Sequence, residues 1–157
     1  MRKGEWDLIE KALYEDLDEI LTLQKIAYQS EAEICNDFEI PPLTQTLEGI
    51  REDYNNQIIL KAVIDGKITG SVRAYEKDGV CHIGRVIVHP TQQNKGIGKY
   101  LMKSIEEYFS GCKKYSLFTG KKSVRNLYFY GSLGYKPVRE EYVNDNLTLV
   151  YLEKGNK

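Results

Sequence analysis

The run Val86-Ile87-Val88-His89-Pro90-Thr91-Gln92-Gln93-Asn94-Lys95-Gly96-Ile97-Gly98-Lys99 holds the residues whose spacing best suggests chemistry. A β-branched strand leads through a short loop into a helix that opens on two glycines and two lysines. The first N–H groups of such a helix lack intrahelical acceptors, and its dipole adds partial positive charge, so the segment suits an anion. Gly96 and Gly98 place no side chain in the way of a phosphate. Lys95 and Lys99 add formal charge. The dinucleotide fingerprint G-x-G-x-x-G does not fit, because the register is Gln93-x-x-Gly96-x-Gly98. A P-loop does not fit either, since Gln93 and Tyr100 stand where it needs a glycine and a Ser or Thr.

A second constellation lies downstream in Ser123-Val124-Arg125-Asn126-Leu127-Tyr128-Phe129-Tyr130-Gly131-Ser132-Leu133-Gly134-Tyr135. Asn126 and Tyr130 are four residues apart and share one helix face. The Gln93–Gly98 loop resembles the pyrophosphate loop of the GCN5-related N-acetyltransferase (GNAT) superfamily. The second segment is similar to that superfamily's other signature, an Asn, a Tyr one turn later, then Leu-Gly-aromatic. Together they point to a small single-domain member of bacterial type.

The elements that must position these residues follow from periodicity and turn chemistry. Residues 6–12 suit a first strand, and Leu17, Ile20, Leu21, Gln24, Ala27 and Tyr28 follow helical spacing. A second helix is expected from Leu43 or Thr44 to about Asn55, capped by Thr44. Strands follow at Ile58–Ile64, Lys67–Tyr75 and Val80–Val88, separated by the hairpin dipeptides Asp65-Gly66 and Asp78-Gly79. A helix over 96–110 connects to a strand at Tyr115–Thr119, which should lie parallel to Val80–Val88. Ser123 can cap a helix ending near Leu133, with Gly134 as its stop. Two strands, Tyr135–Tyr142 and Leu147–Glu153, complete the order β-α-α-β-β-β-α-β-α-β-β. That order resembles the GNAT fold over residues 1–157: α/β (α+β), a mixed sheet of about seven strands with four flanking helices, splayed between strands 4 and 5. One departure is local, because Leu13-Tyr14 offers no Ser or Thr cap for the first helix.

Composition narrows the function classes. The 157 residues carry a net charge of −1, which does not favour non-specific nucleic-acid binding. Residues 1–57 hold 5 Lys/Arg against 14 Asp/Glu, and residues 58–157 hold 17 against 9, so the anion motif lies in the basic part. The acidic part suits a cationic partner. Cys35, Cys81 and Cys112 form no C-x-x-C, and His82 and His89 lack ligand spacing, so no metal site or disulfide frame is expected. Neither a signal peptide nor a long apolar run is present, and the chain is expected in the cytoplasm with no membrane partner.

The resemblance implies an acetyl-CoA-dependent N-acetyltransferase. Its co-substrate would meet Val86, Ile87 and Val88 along the pantetheine arm, and Gln93, Asn94, Lys95, Gly96, Ile97, Gly98 and Lys99 at the pyrophosphate. Asn126 would bind the arm or a nearby backbone group. Tyr130 would lie by the sulfur and protonate the CoA thiolate. Lys121, Lys122 and Arg125 either meet outer phosphates or form a solvated run. A Glu that some members place on the strand after the pyrophosphate helix has no counterpart in Tyr115–Thr119. Glu31 and Glu33 are therefore the candidates for the base or for contact with the acceptor. His82, on the same face as Val86 and Val88 by period two, is a weaker alternative. Arg85, on the opposite face, is a candidate for an acceptor carboxylate. The acceptor is an amine on a small molecule or peptide. Two alternatives stay open: a non-catalytic acyl-CoA sensor, and an enzyme acting on protein N-termini or lysines. By analogy with the superfamily, a homodimer is also open.

Overall fold

The structure, a computed structural model, describes residues 8–156. Seven strands form one sheet in the order β1-β2-β3-β4-β5-β7-β6. They are β1 (Ile9–Lys11), β2 (Ile58–Ile64), β3 (Lys67–Lys77), β4 (Val80–Val88), β5 (Lys114–Gly120), β6 (Lys136–Asn144) and β7 (Leu147–Gly155). Residues 6 and 7 of the expected first strand lie outside the described residues. Both Asp-Gly turns carry two positive φ angles, 52° and 77° at Asp65-Gly66 and 54° and 79° at Asp78-Gly79. Their backbone twist matches that of the flanking strands, which sets the β2–β3 and β3–β4 pairing.

The four expected helices are present as α1 (Leu17–Ala27), α4 (Leu47–Asn56), α5 (Ile97–Tyr108) and α6 (Val124–Ser132), with two short helices between the first two, α2 (Gln29–Cys35) and α3 (Pro41–Thr44). No side chain caps α1, but the short turn Tyr14–Asp16 that leads into it is closed from within. The Leu13 N–H donates to Asp16 Oδ2 at 2.7 Å, and Lys61 Nζ meets the same oxygen at 2.5 Å. Thr46, not Thr44, caps α4, accepting from the Gly49 N–H at 3.0 Å. Pro41-Pro42 opens α3, because proline fits the first helical turn, where its missing N–H removes no bond.

The helices form two layers. On one face Leu101, Met102 and Ile105 of α5 pack with Leu60, Val72, Ala74 and Ile83, joined by Tyr130 of α6 and by Leu117. On the other, Leu17, Ile20 and Leu21 of α1 and Ile50 of α4 pack on Ile59, Ile68 and Ile87. Gly70 lets α5 come this close. A Cβ there would lie 3.0 Å from both the Ile87 carbonyl oxygen and Leu101 Cδ1.

Among the described residues the only parallel pairing joins β4 to β5, across the α5 crossover, and it is short. Val80, Cys81 and His82 pair with Lys114, Tyr115 and Ser116, and beyond that the strands diverge. On its other side β4 carries a bulge. Ser71 pairs with Ile87 but Arg73 with Gly84, so Arg85 and Val86 stand opposite Val72 alone. Arg85 takes up the extra residue in a left-handed conformation, φ 51°. That conformation costs a non-glycine residue about 1 kcal/mol or more. A bulge bends its strand, and this one lies in the part of β4 that has already parted from β5.

The bulge also reverses the strand's alternation, which corrects the expected placement of His82. Cys81, Ile83, Val86 and Val88 all join the α5-side core. His82 therefore lies on the other face from Val86 and Val88, stacked on Tyr75 with ring centroids 5.0 Å apart. Strict period two fails wherever one strand gains a residue.

Candidate active site

β4 ends in a closed turn. The His89 N–H donates to the Thr69 carbonyl at 2.8 Å, and its Nδ1 accepts from the Thr91 N–H at 3.1 Å. This histidine thus shapes the loop. Asn94 (φ 65°) and Gly96 (φ 85°) are both left-handed, and α5 starts at Ile97 with no side chain capping it. The first backbone bond of the helix runs from the Tyr100 N–H to the Gly96 carbonyl at 3.0 Å. The N–H groups of Gly96, Ile97, Gly98 and Lys99 come before it and lack helical acceptors. The arrangement is a concavity of backbone donors at a positive dipole end.

The two glycines do different work. Gly96 is required by its φ. Gly98 is required by packing, since a Cβ would stand 3.2 Å from Phe129 Cζ and 3.7 Å from Val88 Cγ2. Absence of a side chain at 98 thus brings the N-terminus of α5 against α6 and the end of β4. The two sequence motifs also meet where Arg125 Nη2 approaches Gln93 Oε1 at 3.5 Å. Lys95 Nζ donates to Gln92 Oε1 at 3.1 Å. Lys121 pairs with Glu140 at 3.1 Å on an exposed surface.

Tyr130 is 7 % exposed, with its ring 5.2 Å from Phe129 and 6.2 Å from Tyr135. Burial raises its pKa far above the ordinary phenol value, and Tyr28 and Glu31 push the same way. Its proton stays on at any physiological pH. Tyr130 belongs to the α5-side core, whereas Tyr28 packs with the α1 layer. The electrostatic coupling of Tyr130 to Tyr28 and Glu31 runs between the two layers.

Hydrogen bonds tie α2 to the far layer as well. Glu31 Oε2 accepts from Ser123 Oγ at 2.8 Å and from Asn126 Nδ2 at 3.4 Å, and Asn126 Nδ2 also reaches Thr119 Oγ1 at 3.2 Å. Ser123 was expected to cap α6. Its hydroxyl, in a residue 2 % exposed, goes to Glu31 instead. Glu31 and Glu33 do not converge. Residues two apart on a helix face nearly opposite ways, so Glu31 is half-buried while Glu33 is exposed.

Three residues that the sequence reading passed over or placed only in the core complete the surroundings. Arg73, 2 % exposed, donates from Nη2 to Gln24 Oε1 at 2.6 Å and from Nη1 to Asp53 Oδ2 at 2.8 Å. Its pKa is lowered to about 10, first by burial and then by the charge of Arg85, yet it stays cationic at neutral pH. Gln24 is fully buried and also donates to the Pro42 carbonyl at 2.9 Å. Tyr28 has its pKa raised by burial, with Arg85 and Arg73 acting against that rise. A lone arginine between Val72 and Ala74, with no other charged residue from Ile68 to Tyr75, was the available signal for Arg73.

The three cysteines are free and buried, and burial drives all their thiol pKa values up, that of Cys81 to about 12. Among the described residues no group of His, Cys, Asp and Glu is placed to hold a metal ion. No described helix is long and apolar enough to cross a membrane.

Residues 14–135 match the acetyltransferase (GNAT) family. Among curated proteins the chain is 28% identical over 119 residues to UPF0157 protein YqkA of Bacillus subtilis (strain 168), covering 75% of this chain but only 34% of that protein. The chain therefore spans about a third of that relative's length. Among solved structures, smu.2055 from Streptococcus mutans UA159 superposes with a TM-score of 0.83 at 15% identity, covering 95% of this chain and 99% of that one. The ribosomal-protein-S18-alanine N-acetyltransferase of Escherichia coli gives 0.79 at 12% identity, covering 95% and 93%. The paiA N-acetyltransferase of Thermoplasma acidophilum, solved with coenzyme A, gives 0.76 at 18% identity, covering 94% and 97%. The structural neighbours share the fold, and the family match adds descent: this chain belongs to the acetyltransferase (GNAT) family.

Proposed function

We propose that this protein transfers an acetyl group from acetyl-CoA to an amine by direct attack on the thioester. One observation carries the reading. The uncapped N-terminus of α5 lies against Val88 and Phe129, beside the opening between β4 and β5. The left-handed Asn94 and Gly96 fit a pyrophosphate, because they leave backbone donors facing outward without side-chain competition. Gly96, Ile97, Gly98 and Lys99 would hold it through their N–H groups, with Gln93, Asn94 and Lys95 around them. Val86, Ile87 and Val88 would pair with the amide-rich arm as an added strand does. A backbone N–H there would polarise the thioester carbonyl. Acetyl-CoA supplies the activated acyl group.

The reaction balances as an alkylammonium plus acetyl-CoA giving the N-acetyl amine, CoA thiol and one proton. An ordinary alkylamine has a pKa of ~10.4, so the acceptor must shed a proton before attack. Glu31 is the carboxylate near Tyr28 and Tyr130, and it takes that proton directly or through water. Glu33, turned to solvent, does not. Tyr130 donates a hydrogen bond to the sulfur as negative charge develops. Its burial makes it a weaker acid than a free phenol, so its part is to stabilise the departing thiolate by that hydrogen bond, and the thiolate takes its proton from solvent as CoA leaves. Asn126 holds Thr119 and Glu31 in place beside this point.

The test is calorimetry with acetyl-CoA followed by thiol release across a broad amine panel. Saturable binding and amine-dependent release are expected. Binding without release for any amine would favour an acyl-CoA sensor. Absence of binding would remove both readings.

A further inference from the structure

Arg85 is the one residue of β4 set in a left-handed conformation, and it sits where the strand leaves β5. Its side chain is half-buried, and its Nε is buried with no hydrogen-bond partner among the described residues. No ion pair engages it among the described residues either. The carboxylates that act on Arg73 and Tyr28, the two groups that feel the Arg85 charge, are committed elsewhere. Asp53 serves Arg73 and Gln45, and Glu31 serves Ser123 and Asn126. Arg73, close enough to feel the charge of Arg85, has both terminal nitrogens engaged by protein. One guanidinium charge is thus left without a counter-ion beside Tyr28, in the α1-side layer.

A half-buried cation without an anion is unfavourable until a ligand supplies one. Strain held at a non-glycine residue in a bulge beside a candidate site points the same way. From this placement we propose that Arg85 recognises a carboxylate on the acceptor, so that the substrate is an amine whose own skeleton carries an acid. The planar guanidinium can hold both carboxylate oxygens at once, which fixes orientation as well as charge. The acceptor is then zwitterionic before transfer. Its acid end meets Arg85, and its amine end is directed toward Glu31 and the thioester. This inference rests on the acetyltransferase reading and narrows it to a substrate class.

The experiment pairs α-amino acids and short ω-amino acids with their carboxamides, which lose the negative charge at nearly the same size; the ω-amino pairs also keep the amine's basicity nearly constant. Thiol release is measured with wild type, Arg85→Gln and Arg85→Lys, and acetyl-CoA binding is checked for each protein. At least one acid should be consumed with kcat/KM about 10- to 100-fold above its carboxamide. Arg85→Gln should remove that preference through the acid alone, with unchanged acetyl-CoA affinity, and Arg85→Lys should retain part of it. Should Arg85→Gln not fold, wild type alone still decides, because N-acetyl amino acids should inhibit as products where their carboxamides do not. Equal use of acid and carboxamide would overturn the inference. So would a preference that survives Arg85→Gln, or acetyl-CoA binding with no pair consumed. Failure to bind acetyl-CoA would instead strike the acetyltransferase reading itself.

Discussion

Glu31 accepts a hydrogen bond from Ser123 at 2.8 Å across 92 residues of chain. The contact joins α2 to the start of α6 next to the opening in the sheet, so a structural and a chemical role meet in one carboxylate. Two substitutions separate them. Glu31→Gln keeps an acceptor for Ser123 and should leave thermal stability nearly unchanged while turnover falls about 100-fold, the usual scale for losing a general base. Ser123→Ala should cost about 1 kcal/mol of stability, the net value of one hydrogen bond. Thermal melts and steady-state rates measured side by side check both. Equal turnover in Glu31→Gln would confine Glu31 to holding the helices together.

Tyr130→Phe removes the hydroxyl and keeps the ring between Phe129 and Tyr135. Stability should shift by less than about 1 kcal/mol, and the acetyl-CoA dissociation constant should stay put. Turnover should drop about 10- to 100-fold, as expected for a hydrogen bond made mainly in the transition state. The raised phenol pKa sets the sign of the pH effect. The phenol is protonated below its pKa, and that pKa lies above the ordinary value, so activity should show no alkaline loss assignable to Tyr130 up to about pH 10. A wild-type rate that falls with an apparent pKa near 9, and a Tyr130→Phe profile lacking that fall, would contradict the assignment.

Much of this architecture was legible in the sequence because it is written locally. Asp65-Gly66 and Asp78-Gly79 specify their turns through backbone conformation alone, and Gly96 at the start of α5 is set by its own φ. The bulge at Arg85 was not legible. It depends on how β3 and β4 align, and it reversed the expected face of His82. Ser123 was misread for a related reason. A serine before a helix is a good cap in isolation, but a carboxylate 92 positions away offered its hydroxyl a better-placed acceptor. The Arg73 network was missed because its partners Gln24, Gln45 and Asp53 come from three separate segments. The acidic balance of residues 1–57 pointed to a cationic partner, and of its carboxylates Asp16 and Asp53 also pair with the internal cations Lys61 and Arg73.

Gly98→Ala tests whether the packing of α5 on α6 governs co-substrate binding. The added methyl would press on Phe129 at 3.2 Å, and the Phe129 ring packs, tilted, against Tyr130. The ring can yield only by shifting that neighbour. Acetyl-CoA affinity should fall about 10-fold and turnover should fall as well, with a stability loss of about 1–2 kcal/mol from overpacking. Gly96→Ala acts differently. At φ 85° it should cost about 1 kcal/mol by strain without pushing on Phe129, so its turnover at saturating acetyl-CoA should stay near wild type. If the two variants gave the same kinetic pattern, the separate roles assigned to these glycines would fail.

Asp16 gives the fold an acid-sensitive anchor. Burial alone would raise its carboxyl pKa, but the hydrogen bonds from Lys61 and from the Leu13 N–H, with the Lys61 charge, outweigh that and hold it below the ordinary value. Because the folded-state pKa is the lower one, the unfolded chain takes up the proton first as pH drops. The stabilisation is therefore complete above the unfolded carboxyl value and disappears as pH falls through the folded one. Lys61, nearly buried on β2, would then lose its partner, and the turn Tyr14–Asp16 before α1 the acceptor of its Leu13 N–H. Lys61→Met should cost about 2 kcal/mol at pH 7, discounted from the cost of breaking a fully buried pair because both side chains keep some exposure. It should also flatten the decline in Tm between pH 5 and pH 2, since much of what acid removes would already be gone. Calorimetric melts across that range decide the matter. A wild-type Tm that fell no faster than that of Lys61→Met would show that Asp16 is not the group being titrated.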